Sequence, residues 1–294
     1  MSTKYTIKDL ERVSGIKAHT LRIWEQRYDI LIPKRTITNI RYYNDADLKK
    51  VLNVSLLNNN GFKISSIAKL NHESIVVEVE KLLNDYKKES LQIESLVICM
   101  LNMDEARFEK IINNSILHFG FENTIEKILF PFIQHMGNMW QTGIINPAQE
   151  HYISNLIRQK LIARIDNLSL TLPVKHKTFL FYLPSQELHE MSLLYACFLC
   201  KARGNKCLYL GQSVPHEDLD SIVNLIKPDV IVSIITSSLT GSTLNDYLNS
   251  FSKKILETEI LFSGRLFFSP DEKYSIPSKK MKLFKNFAEF KTFI

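Results

Sequence analysis

Long apolar runs are missing from this sequence of 294 residues. No segment reaches 18 apolar residues without a charge, so no transmembrane helix is expected. The opening stretch MSTKYTIKDLERV has no apolar core of the kind a secretory signal needs, so export is not expected either. Cysteine is scarce. The four present, Cys99, Cys197, Cys200 and Cys207, read as reduced thiols in a long chain without export signals, and the expected compartment is cytoplasmic. Cys197 and Cys200 lie inside an apolar helical stretch rather than at a strand-to-helix turn, which favours core packing over a redox or zinc site. The nine glycines form no phosphate-binding loop, and G-x-S-x-G and H-E-x-x-H are absent. No enzyme signature is left, and none is expected.

What is present is charge, unevenly placed. Residues 1–70 carry 13 Lys and Arg against 6 Asp and Glu, a net of +7, while the remainder has 24 against 25, a net of −1. The whole positive excess therefore sits in the first quarter of the chain. A basic module on a near-neutral body is the electrostatic footprint of a nucleic-acid reader with an attached second function. The length also calls for two or three domains.

The pattern along the chain divides it. Thr6 with Asp9 three positions later forms a capping box, and Ile7, Leu10 and Val13 share a face, so a short helix is expected. Ser14-Gly15 breaks it, and a second helix follows over about 17–28 with Leu21, Trp24 and Tyr28 inward. LIPKRTITNIRYYN has Pro33, β-branched residues and no helical period, the signature of a two-stranded wing. Helices over about 45–58 and 65–70 complete a winged helix-turn-helix at 1–70. Residues 71–89 read as a helical connector and 90–170 as a bundle of four or five helices. After Pro173, strands alternate with helices, which predicts a parallel sheet covered on both faces. Five strands fit a flavodoxin-like, doubly wound domain at 175–294. The expected architecture is multidomain, α followed by α/β.

The second helix begins KAHTLRIWEQRY. Recognition helices enter the major groove by their starts, so Lys17, His19 and Thr20 are candidates for base edges. Arg22 and Arg27 further along can hold phosphates. Arg35, Arg41 and Tyr42 lie in the wing, within reach of the flanking backbone or minor groove. Any one of these is explained as a solvated surface group; together, on this pattern, they point to double-stranded DNA. The stretch resembles the MerR family: TIKDLERVSGIKAHTLRIWEQRY, PKRT and RYYNDADL match its pattern in order and spacing over residues 5–70. The form TLRIWEQRY…PKRT is similar to the CarH/LitR subgroup of light-responsive, cobalamin-binding regulators. Metal-responsive members carry cysteine ligands after the connector, where this chain has only Cys99 between residues 75 and 125, so thiolate metal sensing is not expected.

Two features bear on the second half. One is MGNMWQTGIINPAQEH on expected bundle helices, with Trp140 followed after nine residues by Glu150-His151. The other is ELHEMS at the first strand-to-helix turn of the α/β domain, with Glu187, His189, Glu190 and Ser192. A neutral imidazole is a good axial donor to the cobalt of a cobalamin, and a neighbouring carboxylate can orient it. A histidine after the first strand lies at the carboxyl edge of the sheet, where such folds bind ligands. The nucleotide tail of a cobalamin needs a slot beside the sheet, usually opened by small residues, and the upper corrin face needs a flat apolar lid.

The arrangement is similar to the helical cap and cobalamin-binding domain of the same subgroup, over about residues 90–294. That resemblance implies cobalamin as cofactor, with His189 as cobalt ligand and Glu187 as its companion. It places Trp140, Glu150 and His151 over the upper face. A strand-end serine, Ser233, or Ser237 with Ser238, and then Ser263-Gly264, stand where the family has its serine and paired glycines. The departures are Ser192 for the motif glycine, Ser263 for a glycine, and Gln141 where the light-responsive pattern has a cobalt-capturing histidine.

Plain alternatives stand beside these: His189 at a helix start, Trp140 in the bundle core, Glu150-His151 on the surface. Two functions stay open. One is a DNA-binding regulator whose second half senses a cobalamin, with adenosylcobalamin and a light response among the options. The other is a regulator whose cobalamin-type domain is degenerate and serves oligomerisation or protein interaction. A corrinoid methyltransferase component is disfavoured by the basic module. Expected partners are an operator, further copies of the chain as a dimer or tetramer, and RNA polymerase or another regulator, without a membrane.

Overall fold

The computed structural model describes residues 4–83, 89–168, 176–239, 243–254, 258–270 and 272–294. They fall into two compact units, Met1–Ile157 and Arg158–Ile294.

In the first unit, Thr6 caps α1 (Ile7–Ser14), and the reciprocal box with Asp9 is formed. Gly15 ends the helix at φ 72°, a left-handed conformation that a side chain would resist. α2 (Ala18–Tyr28) follows, with Leu21 and Trp24 buried as expected; Tyr28 is only half-buried, and Glu25 takes a buried place instead. The wing is a short antiparallel pair, β1 (Lys34–Arg35) and β2 (Arg41–Tyr42). Asn44 caps α3 (Asp45–Asn59), which buries Leu48, Val51, Leu52 and Leu56. α4 (Ile64–Ile67) comes next. α5 (His72–Leu83), expected as a connector, packs against α3 and buries Ile75 and Val79.

The bundle helices are α6 (Glu89–Asn102), α7 (Glu105–Phe119), α8 (Phe121–Thr124), α9 (Phe130–Gln141) and α10 (Pro147–Asp166). The sequence pattern reads Ile125 to Met136 as one helical face. The structure interrupts it with a π turn at Ile125–Leu129, where the Phe130 amide reaches back five residues to the Ile125 carbonyl. Pro131 accounts for the departure, since it has no amide to continue the ladder. Ile125, Ile128, Leu129, Phe132 and Met136 are nonetheless buried.

The second unit begins within α10, earlier than the change in sequence texture at Pro173. Arg158 pairs with Glu190, and Lys201 Nζ donates to the Ile165 carbonyl at 2.9 Å, so the end of α10 is tied to the α/β elements. β3 (Thr178–Pro184), β4 (Lys206–Val214), β5 (Val230–Ile234), β6 (Glu259–Ser263) and β7 (Met281–Leu283) make an all-parallel sheet in the order β4-β3-β5-β6-β7. This is the flavodoxin-type order that alternating strands and helices call for.

Leu180, Tyr182, Ile231, Ile235, Ile260 and Phe262 cover one face of the sheet. They pack against Leu219 and Val223 of α12 (His216–Ile226) and Leu244, Leu248 and Phe251 of α13 (Leu244–Lys254). α11 (Met191–Ala202), buried over Leu193–Cys200, packs on β3, β4 and β5, and α14 (Phe287–Phe290) closes the chain. The pattern expects α11 to begin near Glu187. It begins four residues later, because the Glu187 carboxylate binds the loop backbone in a non-helical shape. All four cysteines are free thiols. Cys197 and Cys200 are buried in α11, and the Cys207 thiol lies 3.8 Å from the Cys197 carbonyl.

Candidate functional site

The basic module presents its cations outward. Arg22 and Arg27 are exposed along α2, and His19 is exposed at its start, 3.3 Å from the Thr20 hydroxyl. Lys17 pairs with Glu11 at 3.1 Å. Arg35 is held in the wing by Asn39, donating to its side-chain oxygen at 2.7 Å and its carbonyl at 3.3 Å. Arg41 is exposed, and Tyr42 is half-buried with Lys4 Nζ 4.9 Å above its ring. α2 and the wing are set relative to each other by a contact that sequence reasoning missed. The buried Tyr43 hydroxyl donates to the buried Glu25 carboxylate, and burial together with that bond raises the phenol. Tyr5 OH donates to Asp45 Oδ1 at 2.8 Å, fixing the start of α3. The signal for the Glu25–Tyr43 pair was a carboxylate on the inward stripe of α2.

In the same unit, a cavity of about 370 Å³ lies between α1 and α3 on one side and α6 and α9 on the other, with Glu94 and His135 on its wall. Burial raises the Glu94 carboxyl above its ordinary range, opposed by a hydrogen bond from Asn59. A raised folded-state value favours the protonated acid. The stability tied to it is present below the ordinary carboxyl range of about 4.3 and is lost as pH rises through the folded value. Glu94→Gln is therefore expected to raise the urea midpoint at pH 7, with the gain shrinking towards pH 4. An unchanged or lowered midpoint at pH 7 would contradict this.

The carboxyl edge of the α/β unit gathers Glu187, His189 and the β5 end. Glu187 is 3% exposed yet accepts five hydrogen bonds. The His189 ring Nδ1 and backbone amide approach Oε1 at 2.6 and 2.9 Å. The amides of Thr236 and Ser237, both at 2.7 Å, and the Thr236 hydroxyl at 3.0 Å approach Oε2. Burial alone would raise this carboxyl, but the bonds from His189, Ser237 and Thr236 outweigh it and hold it well below the usual range. The ion therefore stays a carboxylate at neutral pH. Its Oε1 accepts a hydrogen bond from Nδ1–H, which in a neutral imidazole leaves the lone pair on Nε2. The ring itself is 69% exposed, and Ser237 Oγ sits 3.3 Å from Nδ1.

The other candidates are placed as follows. Glu190 is buried, paired with Arg158 and accepting from Tyr209 OH at 2.7 Å, which makes it an anchor of the α11 start. Ser192 is half-buried in the first turn of α11. Ser233 is buried in mid-strand beside Tyr182, so Ser237 is the serine that meets His189. Gly264 sits at φ 108°. Trp140, Glu150 and His151 belong to the other unit. Trp140 is 53% exposed at the end of α9 rather than in the bundle core. His151 Nδ1 lies 2.7 Å from Glu150, whose other oxygen accepts from Ser154 at 2.7 Å. Among the described residues no group of three His, Cys, Asp or Glu is placed to hold a bare metal ion, and no helix is long and apolar enough to cross a membrane.

Two family models match the chain, both within residues 5–164. Residues 5–73 match the MerR HTH family regulatory protein model, and residues 92–164 match the B12 binding domain model. The chain is 26% identical over 250 residues to the HTH-type transcriptional repressor CarH of Myxococcus xanthus, covering 83% of each chain. It is 28% identical over 230 residues to the repressor CarA of the same organism, covering 76% of this chain and 74% of that one. Among solved structures, the monomethylamine corrinoid protein of Methanosarcina barkeri aligns with a TM-score of 0.49 at 15% identity, over 66% of this chain and 92% of that one.

Proposed function

We propose that this chain, a MerR-type DNA-binding transcription regulator carrying a B12 binding domain, senses a corrinoid through His189 and passes the signal to operator binding by changing its assembly. It is a regulator and not an enzyme. The observation that carries the reading is the Glu187–His189 pair, in which a carboxylate fixed by five hydrogen bonds sets the tautomer of an outward-facing imidazole. One neutral nitrogen is what a cobalt already held by four corrin nitrogens asks of a protein, so the absence of a three-ligand cluster does not count against it. When bound, a corrinoid would supply a cobalt able to exchange a ligand. His189 would hold it, and Glu187 would orient the imidazole and raise its basicity.

Trp140, exposed at the end of α9, and Glu150 and His151 are assigned to a corrinoid by family resemblance. In the DNA module, Lys17, His19 and Thr20 are assigned to base edges and Arg22, Arg27, Arg35, Arg41 and Tyr42 to the backbone and wing contacts. The protein works as a homo-oligomer in the cytoplasm, because paired half-sites call for paired recognition helices.

Reconstitution with adenosylcobalamin, in the dark and after illumination, tests the cofactor assignment. A co-eluting chromophore is expected on gel filtration. His189→Ala is expected to lose the spectral shift of axial imidazole ligation and to weaken binding at least tenfold. No chromophore with any corrinoid, cobinamide included, or identical spectra for the two proteins, would sink it.

A further inference from the structure

We infer that the site under His189 has no slot for a nucleotide tail, so that this chain takes a corrinoid by its macrocycle and cobalt and binds a tail-less corrinoid at least as well as a complete cobalamin. The inference rests on the corrinoid reading above and sharpens which ligand class that site accepts.

When an imidazole takes the lower position on cobalt, the base of a cobalamin is displaced. Base, ribose and phosphate must then be housed beside the strand ends. A group of that size needs a slot of roughly 300 Å³ or more. Small residues would open one, and the places for them are Ser192, Ser263 and Gly264. Around Ser263, around Gly264 and one turn beyond Ser192, the described residues pack against one another.

Gly264 lies against the end of β5. A Cβ there would meet the Ile235 carbonyl oxygen at 2.1 Å. Two bonds lock this approach: the Ile235 amide donates to the Ser263 carbonyl at 2.7 Å, and the Leu266 amide donates to the Ile235 carbonyl at 3.2 Å. The glycine serves a backbone-to-backbone contact with no space for a methyl group. Ser263 is buried, and its hydroxyl donates to the Phe284 carbonyl at 2.6 Å, tying the end of β6 to the segment leading into α14. One turn beyond Ser192, Tyr195 is fully buried and meets Phe287 of α14 edge-on at 4.7 Å. Phe287 in turn touches Phe284 and Phe290. The gap between α11 and α14 is thus an aromatic plug. On the opposite face, Tyr182 and Tyr247 share a hydroxyl hydrogen bond within a cluster that includes Phe251 and Phe262. A tail would have to displace one of these clusters, whereas His189 stands exposed and needs no displacement to meet cobalt.

The test is a titration of the full chain with aquocobinamide, which has the macrocycle but no nucleotide tail, alongside hydroxocobalamin, both followed by visible absorption. Cobinamide is expected to bind as tightly as cobalamin or more tightly. Its axial-ligand shift should vanish in His189→Ala. Cobalamin binding threefold or more tighter than cobinamide would overturn the inference while leaving the corrinoid reading in place. A shift with neither ligand would instead overturn the corrinoid reading, and this inference with it. Tyr195→Ala is expected to improve cobalamin binding several-fold with cobinamide unchanged; a folded variant that shifts neither would count against the plug. The wild-type comparison decides the matter without any variant.

Discussion

Replacing Gly264 by alanine is expected to destabilise the α/β unit by about 4 kcal/mol or more, one of the largest effects a single methyl group can have here. Two causes act together. At φ 108° and ψ 165° the residue occupies a region essentially reserved for glycine. The added Cβ would also sit 2.1 Å from the Ile235 carbonyl oxygen, and backbone cannot swing aside as a flexible side chain can. For a unit of this size the thermal midpoint should drop by roughly 10 °C. Gly137, inside α9 with nothing within 4 Å of its would-be Cβ, is the control. Gly137→Ala is expected to be neutral or stabilising by up to about 1 kcal/mol. Thermal unfolding of both variants checks the pair, and equal midpoints would show that the close approach at Gly264 is not present in solution.

The second large effect is on DNA affinity. With Arg22, Arg27, Arg35 and Arg41 each neutralising one phosphate, log K should fall against log salt with a slope of about −3.6 per module. Between 50 and 200 mM salt that is a loss of roughly a hundredfold for one module, and far more for a paired one. Arg22→Ala or Arg27→Ala should each reduce the slope by about 1 and weaken all sequences alike. His19 and Thr20 variants should instead change which sequence is preferred, because base edges carry the discrimination and phosphates do not. Fluorescence anisotropy at four salt concentrations separates the two groups. A flat salt dependence would contradict the assignment of the basic face.

Much of this architecture was legible in the sequence because it is written locally. The Thr6–Asp9 box, the Gly15 break and the alternating strands and helices after Pro173 are short-range patterns, and each yields the element it announces. The Glu187–His189 pair is two residues apart and was legible as well. What stayed hidden depends on partners far along the chain. Glu190 looks like a second site carboxylate by its position beside His189. Its role is decided by Arg158, 32 residues away, and Tyr209, 19 residues away. Ser233 and Ser237 were indistinguishable as strand-end serines, until the fold turned one into the core and set the other beside the imidazole. The late start of α11 has the same origin: Thr236 and Ser237, 49 and 50 residues on, bind the Glu187 carboxylate and hold the loop out of helical shape. Nor could Ser263 reveal from sequence that its hydroxyl is spent on the Phe284 carbonyl.

On the proposed reading, the basic DNA-reading module answers to a sensor edge built on His189. The most direct measurement is binding of the full chain to the DNA upstream of its own gene, with and without adenosylcobalamin, for the wild type and for His189→Ala. The account predicts salt-sensitive binding by both proteins, and a shift of at least fivefold on adding the corrinoid that His189→Ala abolishes. Binding that is absent or insensitive to salt, or a corrinoid effect that survives in His189→Ala, would contradict it.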